Sequence, residues 1–375
     1  MKEIAARVAL ALLGVLVALA TLEGGLRSQY HLLPPAMEKE HRFWQYDPLL
    51  GWSKIPGAEG PFVGYEYQTH VKINSQGLRD DEVPYQKPPG EYRVLALGDS
   101  FTVELEVEKE QVWTEVLEEL LSTERAAQVI NAGTRGYGSD QEYLFLREEG
   151  LKYSPDLVLV AFFVNDVLSN RMDHEEARKY AKPRFVLRDG QLYLTNVPPP
   201  QPPANPLKSL SKLLERSYLY RFASEMLKKS SPGELPAYCQ VYQTEYTPDW
   251  EEAWEVTEAI LVDMQRLAGR AGAQLFVCYL PEQNQVSDSQ WDQIALHNGE
   301  GISYDRERPN RLLGELCARH GIPYLDLTPA FRQHIAAGGP YPYFPVNVHF
   351  NVEGNRLVAQ LIYQYLVEEG LFPSH

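Results

Sequence analysis

Tyr92-Arg93-Val94-Leu95-Ala96-Leu97-Gly98-Asp99-Ser100-Phe101-Thr102 runs from a short apolar segment into a Gly-Asp-Ser turn. Tyr92–Leu97 has the length and character of a buried strand, and Lys109–Leu121 beyond it carries Val112, Val116, Leu117 and Leu120 at helical spacing. The pattern then repeats. Gln128–Asn131 predicts a second strand, and Ser139–Gly150 a helix ended by glycine. Leu157–Phe163 (LVLVAFF) is apolar on both faces, as a strand covered from both sides should be. Gln274–Leu280 and Tyr324–Leu327 read as further strands, each preceded by a helical segment, Trp250–Ala271 and Pro309–His320. Val352–Glu369 closes the chain as an amphipathic helix, with Asn351 placed to cap it. Strand alternating with helix implies an α/β fold: a parallel sheet with helices on both faces, joined by right-handed crossovers.

Outside this pattern lie three other stretches. Residues 28–90 are rich in aromatics, glycine and proline and read as an irregular, partly β lead-in. Residues 168–250 break the alternation; they contain the proline-rich VPPPQPPANP and a segment of helical character, Leu207–Lys229. This insertion is either a cap over the site or a surface elaboration. At the start, Lys2 and Arg7 precede an uncharged apolar run, Val8–Leu22. The run suits a signal-peptide core of about 7–15 residues, and Ala18-Leu19-Ala20 offers a cleavage pattern. Counted over residues 4–22 it also approaches the roughly 20 residues of a spanning helix. Either reading sends the body of the protein out of the cytoplasm, and the basic residues would keep the N-terminus inside; an uncleaved anchor is the expectation. The expected layout is a signal anchor or signal peptide over 1–27, the lead-in over 28–90, and one α/β domain over 91–375.

The 375 residues carry 35 Lys+Arg against 51 Asp+Glu, a net charge of −16. With no cationic run, that balance argues against a nucleic-acid partner. Cys239, Cys278 and Cys317 are widely spaced and odd in number, which excludes a full disulfide framework, although one bridge stays open. Cys278 lies in an apolar run and reads as a buried thiol.

Open α/β sheets bind ligands beyond the carboxyl ends of their strands. Four such positions here hold groups with chemistry. Ser100 follows the first strand, and a serine hydroxyl needs an adjacent base to act as a nucleophile. His349 precedes the last helix and is the candidate base. The glycine-rich Asn131–Gly138 follows the second strand and offers backbone N–H groups, and Asn165 follows the third with a side-chain amide; both suit a developing oxyanion. Alone, each has a bland reading as turn chemistry. No Walker loop, GxGxxG after the first strand, HExxH or GxSxG competes.

Taken jointly and in this order, the motifs resemble the SGNH/GDSL hydrolase superfamily. GDSF at 98–101 is similar to its first block, Gly136 to its second, Asn165-Asp166 to its third, and His349 to its last. An apolar N-terminus and a lead-in such as INSQGLRD further resemble anchored members of the bacterial envelope. The resemblance implies a three-layer α/β/α flavodoxin-like fold and a serine esterase, lipase-like, working on an acyl or acetyl ester that is small or glycan-linked, without metal or organic cofactor. It implies Ser100 as nucleophile, His349 as base, and the Ser100 and Gly136 N–H groups with the Asn165 amide as oxyanion hole. Transfer or removal of acetyl groups on an envelope polysaccharide would use the same residues, and a non-catalytic glycan-binding protein could keep the fold.

Two departures stand out. The family places an aspartate two or three residues before its histidine; here Val346 and Asn347 stand there. Asn347 can orient the imidazole but brings no charge, and the equivalent change in serine proteases costs about 10⁴ in kcat. Another acid, a Ser-His dyad or a slow enzyme are the alternatives; Asp326 and Glu353 are the nearby acids in sequence. The second departure is Val103-Glu104-Leu105-Glu106, where relatives often have glycine.

Overall fold

The computed structural model describes residues 2–29, 42–64, 66–175, 180–201, 214, 217, 219–220, 237–295 and 302–373. The chain divides into two compact units, Met1–Lys39 with Val63–Tyr65 and Pro203–Glu234, and Glu40–Phe62 with Glu66–Pro202 and Leu235–His375. The first holds α1 (Lys2–Gln29), whose stretch Leu10–Ser28 is long and apolar enough to cross a membrane. Leu10, Leu12, Leu13, Val15, Leu16 and Val17 are all exposed. Apolar residues all around a helix give no single core-facing stripe. Glu23, near its end, accepts hydrogen bonds from Ser217 Oγ and Leu219 N, each at 2.9 Å. The expected helix at Leu207–Lys229 lies largely outside the described residues.

The strands begin with two antiparallel pairs, β1 (Trp44–Asp47) with β2 (Gly51–Lys54), and β3 (Glu59–Val63) with β4 (Gln68–Lys72). Then come β5 (Tyr92–Gly98), β6 (Ala127–Asn131) and β7 (Leu157–Phe162). Two more antiparallel ribbons follow, β8 (His174–Glu175) with β9 (Tyr180–Ala181) and β10 (Arg184–Arg188) with β11 (Gln191–Thr195). Last are β12 (Gln274–Tyr279) and β13 (Tyr324–Asp326). Strands β13-β12-β7-β5-β6 form the central sheet in that order, and its adjoining strands run parallel. Counting only its own strands, this is the flavodoxin-like order 2-1-3-4-5, whose switch point lies between β5 and β7. Every residue of β5 and β7 is buried, as two-sided cover requires.

The helices of this unit are α2 (Ser100–Val103), α3 (Trp113–Ser122), α4 (Ser139–Glu148), α5 (Asn165–Arg171) and α6 (Pro248–Arg270). After them come α7 (Gln283–Val286), α8 (Asp288–Ala295), α9 (Arg308–His320), α10 (Thr328–Ala336) and α11 (Val352–Glu368). Helix α3 packs on α11, while α4, α5 and α6 pack together. The first turn of a helix leaves backbone donors without intrahelical partners; at α3, Asn355 Oδ1 of α11 accepts Trp113 N at 3.0 Å. Asn351 caps α11 as its sequence position suggests, accepting Gly354 N at 3.1 Å.

Some details differ from expectation. The stretch from Lys109 opens as a 3-10 turn, Lys109–Gln111, capped by Glu108, and the α-helix begins only at Trp113. Helix α4 stops at Glu148 and a 3-10 turn covers Gly150–Tyr153. All three cysteines are buried and free, so the open bridge is not formed. The first part of the insertion is ordered β structure tied into the core: the buried Lys182 ammonium binds the buried Asp140 carboxylate of α4 and donates to Ser169 O at 2.9 Å.

Candidate active site

Ser100 begins α2 immediately beyond β5, and the Asp99 carboxylate caps that helix by accepting Phe101 N at 2.8 Å. A Cβ at Gly98 would overlap the Thr102 side chain, so the chain makes this turn only with glycine there. Ser100 Oγ lies 3.5 Å from Asp99 Oδ2, at the limit of a hydrogen bond. Burial raises the Asp99 carboxyl to about 6, against the hydrogen bond from the Phe101 N–H. Asn165 starts α5 beyond β7, the strand paired with β5 so that Gly98 faces Ala161. The serine and Asn165 therefore flank the switch point.

The loop after β6 docks on the same strand end, Thr134 N donating to Gly98 O at 2.9 Å. Gly136 in this loop has φ +77°, a left-handed conformation that a Cβ would strain. The lead-in braces the loop from outside the sheet. Lys54 Nζ, buried, donates to Gly133 O at 2.5 Å and Thr134 Oγ1 at 2.7 Å. Burial lowers the Lys54 ammonium to about 7. Trp52 Nε1 donates to Arg135 O at 3.1 Å, and Tyr137 Oη to Trp52 O at 2.6 Å. Sequence reading of residues 28–90 gave no hint that this segment holds a site loop, because the contacts are long-range and mostly to backbone.

His349 is buried, with its ring centroid 4.8 Å from that of Phe101, the residue after Ser100. Asn347 Oδ1 accepts the His349 backbone N–H at 2.9 Å and lies 2.5 Å from Nδ1. A carbonyl oxygen at Nδ1 fixes the proton on that nitrogen and leaves Nε2 as the basic one. The Glu66 carboxylate in turn accepts Asn347 N at 2.6 Å and Val346 N at 3.0 Å.

Neither acid near the histidine in sequence supports it. Asp326 accepts Asn310 Nδ2 at 2.6 Å and Thr328 N at 2.9 Å. Glu353 pairs with Arg356 at 2.5 Å and His334 at 3.4 Å. The carboxylate beside His349 belongs to Glu106, whose Oε1 is 3.3 Å from Nδ1 and 2.7 Å from an Arg135 guanidinium nitrogen. Burial works to raise the Glu106 carboxyl, yet the Arg135 charge and then His349 bring it below its ordinary value. Its buried neighbour Glu104 is raised well above the carboxylate range, by burial first and then by the Glu106 charge. The signal in sequence was available: two glutamates inside the apolar run VELEV need partners if they are buried. Among the described residues no cluster of His, Cys, Asp or Glu is arranged to hold a metal ion.

A serine-bearing turn at the switch point of a 2-1-3-4-5 parallel sheet, with a histidine loop packed against it, makes an α/β fold whose candidate site lies beyond its strand ends. The chain belongs to the GDSL-like lipase/acylhydrolase family, which matches residues 96–357, and so to a family of hydrolases acting on esters. Among solved structures it is similar to a catalytic mutant of an acetylxylan esterase from Geobacillus stearothermophilus, with 13% identity and TM-score 0.40 over 75% of this chain and 96% of that one. An α/β hydrolase from the metagenome of Lake Arreo, Spain, gives 13% identity and TM-score 0.40 over 77% of this chain and 99% of that one. No curated protein matches this chain.

Proposed function

We propose that the protein is a serine ester hydrolase acting on a small or glycan-linked acyl or acetyl ester. Ser100 Oγ attacks the ester carbonyl while His349 Nε2 takes its proton; the alcohol leaves with that proton, and water then hydrolyses the acyl-enzyme by the same relay. The backbone N–H groups of Ser100 and Gly136 hold the oxyanion. The Asn165 side-chain amide is a further donor to it. What carries this reading is the His349 ring, its Nδ1 on Asn347, lying against Phe101 beside the serine.

Turnover of p-nitrophenyl acetate by wild type and Ser100→Ala tests it. Loss of turnover in the variant is expected, and equal rates would end the proposal. Acceptor-dependent acetylation by the wild type would instead make the chemistry transfer. We further infer that α1 anchors the protein with Lys2 and Arg7 on the cytoplasmic side. Release of the protein from membranes by carbonate washing would contradict that anchoring.

A further inference from the structure

The two departures from the family pattern meet at one nitrogen. Where the family has an aspartate ahead of its histidine, this chain has Asn347, whose oxygen carries no charge; a carboxylate from the other departing segment stands 3.3 Å from the same Nδ1. We propose that Glu106 is the positioning residue that supplies the negative charge opposite the His349 imidazolium, with Asn347 setting the ring orientation and Glu106 the charge. This rests on the reading of Ser100 and His349 as nucleophile and base.

The geometry divides the work that one aspartate does elsewhere. Asn347 Oδ1 is bound to the backbone N–H of His349 itself, so the acceptor and the ring move as one piece. Glu106 arrives from the segment following the nucleophile and is held by Arg135, on the loop that carries Gly136. Its side chain is fully buried. Such a carboxylate is screened little by water, so its attraction to a transient imidazolium is strong. Arg79 fixes the segment from below by donating to the backbone oxygens of Val103, Glu104 and Val107. When His349 takes the serine proton, its Nδ1–H faces an amide oxygen and a carboxylate oxygen together. The proton stays on the ring and no bond to Glu106 forms.

The test is a set of variants read by kcat and KM on p-nitrophenyl acetate and by the rate at which a fluorophosphonate labels Ser100. Glu106→Gln keeps the shape and removes the charge. Its kcat and labelling rate should fall about 10³–10⁴-fold, towards the roughly 10⁴ of neutralising a triad aspartate, with KM within a few-fold of wild type. Adding Asn347→Asp to Glu106→Gln returns a carboxylate to Nδ1 from the family position and should recover at least about tenfold in kcat. A structural role for Glu106 would not be rescued from there. A Glu106→Gln kcat within a few-fold of wild type, or no recovery in the double variant, overturns the proposal. Should Glu106→Gln fail to fold through its loss of Arg135, Asn347→Ala decides. With the charge in Glu106, Asn347→Ala costs kcat less than about 10²-fold, whereas a loss of about 10² or more makes the amide the working partner and overturns the proposal. Failure of the underlying reading looks different: the wild type would neither turn over ester nor label at Ser100, and the role of Glu106 would fall with it.

Discussion

The carboxylate of Glu66 accepts the backbone N–H of Asn347 at 2.6 Å, joining the lead-in to the loop that orients His349 across 281 positions of sequence. It also takes the N–H of Val346, so a single side chain satisfies two consecutive donors of that loop. Removing it frees the loop without altering any side chain assigned to the chemistry. Glu66→Ala is expected to lower kcat about tenfold, because small misplacements of a base are costly, while far-UV circular dichroism stays unchanged. A kcat equal to wild type would show that the loop holds its own shape.

Gly136→Ala places a methyl group on a left-handed backbone at φ +77°. The strain is worth about 1–2 kcal/mol, which the loop can relieve by moving its N–H. Urea unfolding should register a loss of about that size or less, accompanied by a larger fractional loss in kcat than in KM.

Asn355→Ala leaves the Trp113 N–H buried without its acceptor. An orphaned buried donor costs about 1–3 kcal/mol, and a fall in that range in urea-unfolding free energy is expected. Ester turnover should be affected less than by Glu66→Ala, since Asn355 lies on the helix side of its own cap.

Asp80 sets a pH dependence. Burial first, then the charge of Glu115, raises its carboxyl to about 7 from an ordinary 3.8. A folded-state value above the unfolded one means stability that is complete below about pH 4 and is lost as pH rises through 7. Glu104, Glu142, Asp166 and Asp99 act in the same direction, and Lys54, lowered to about 7, acts in the opposite one. The melting temperature should therefore fall between pH 5 and pH 8. Asp80→Asn should reduce that loss by about 2–3 kcal/mol; a slope identical to wild type would refute the assignment.

The alternation of apolar runs with helical periodicity made the central sheet legible before any coordinate, because burial on both faces of β5 and β7 leaves an unbroken hydrophobic signature. Ser100, Gly136, Asn165 and His349 could be singled out because each follows or precedes such an element. Glu106 could not be joined to His349, since 243 residues separate them and only the fold closes that gap. Lys54 and Glu66 were hidden for a related reason. They reach backbone atoms, and a backbone partner leaves no mark on the sequence. The ribbons β8–β11 were missed because short edge strands in a mixed polar segment carry little alternation.

The bond between Lys182 and Asp140 sets where this chain can be cut. Excising the insertion from its first residue would strand a carboxylate inside α4 with nothing of opposite sign nearby, a change that costs about 3–5 kcal/mol when one member of an interior pair is removed. A shortened protein that keeps residues through Asn196, whose amide donates to Lys182 O at 2.6 Å, retains the pair, so a deletion in this segment has to begin beyond Asn196 and not at Leu168.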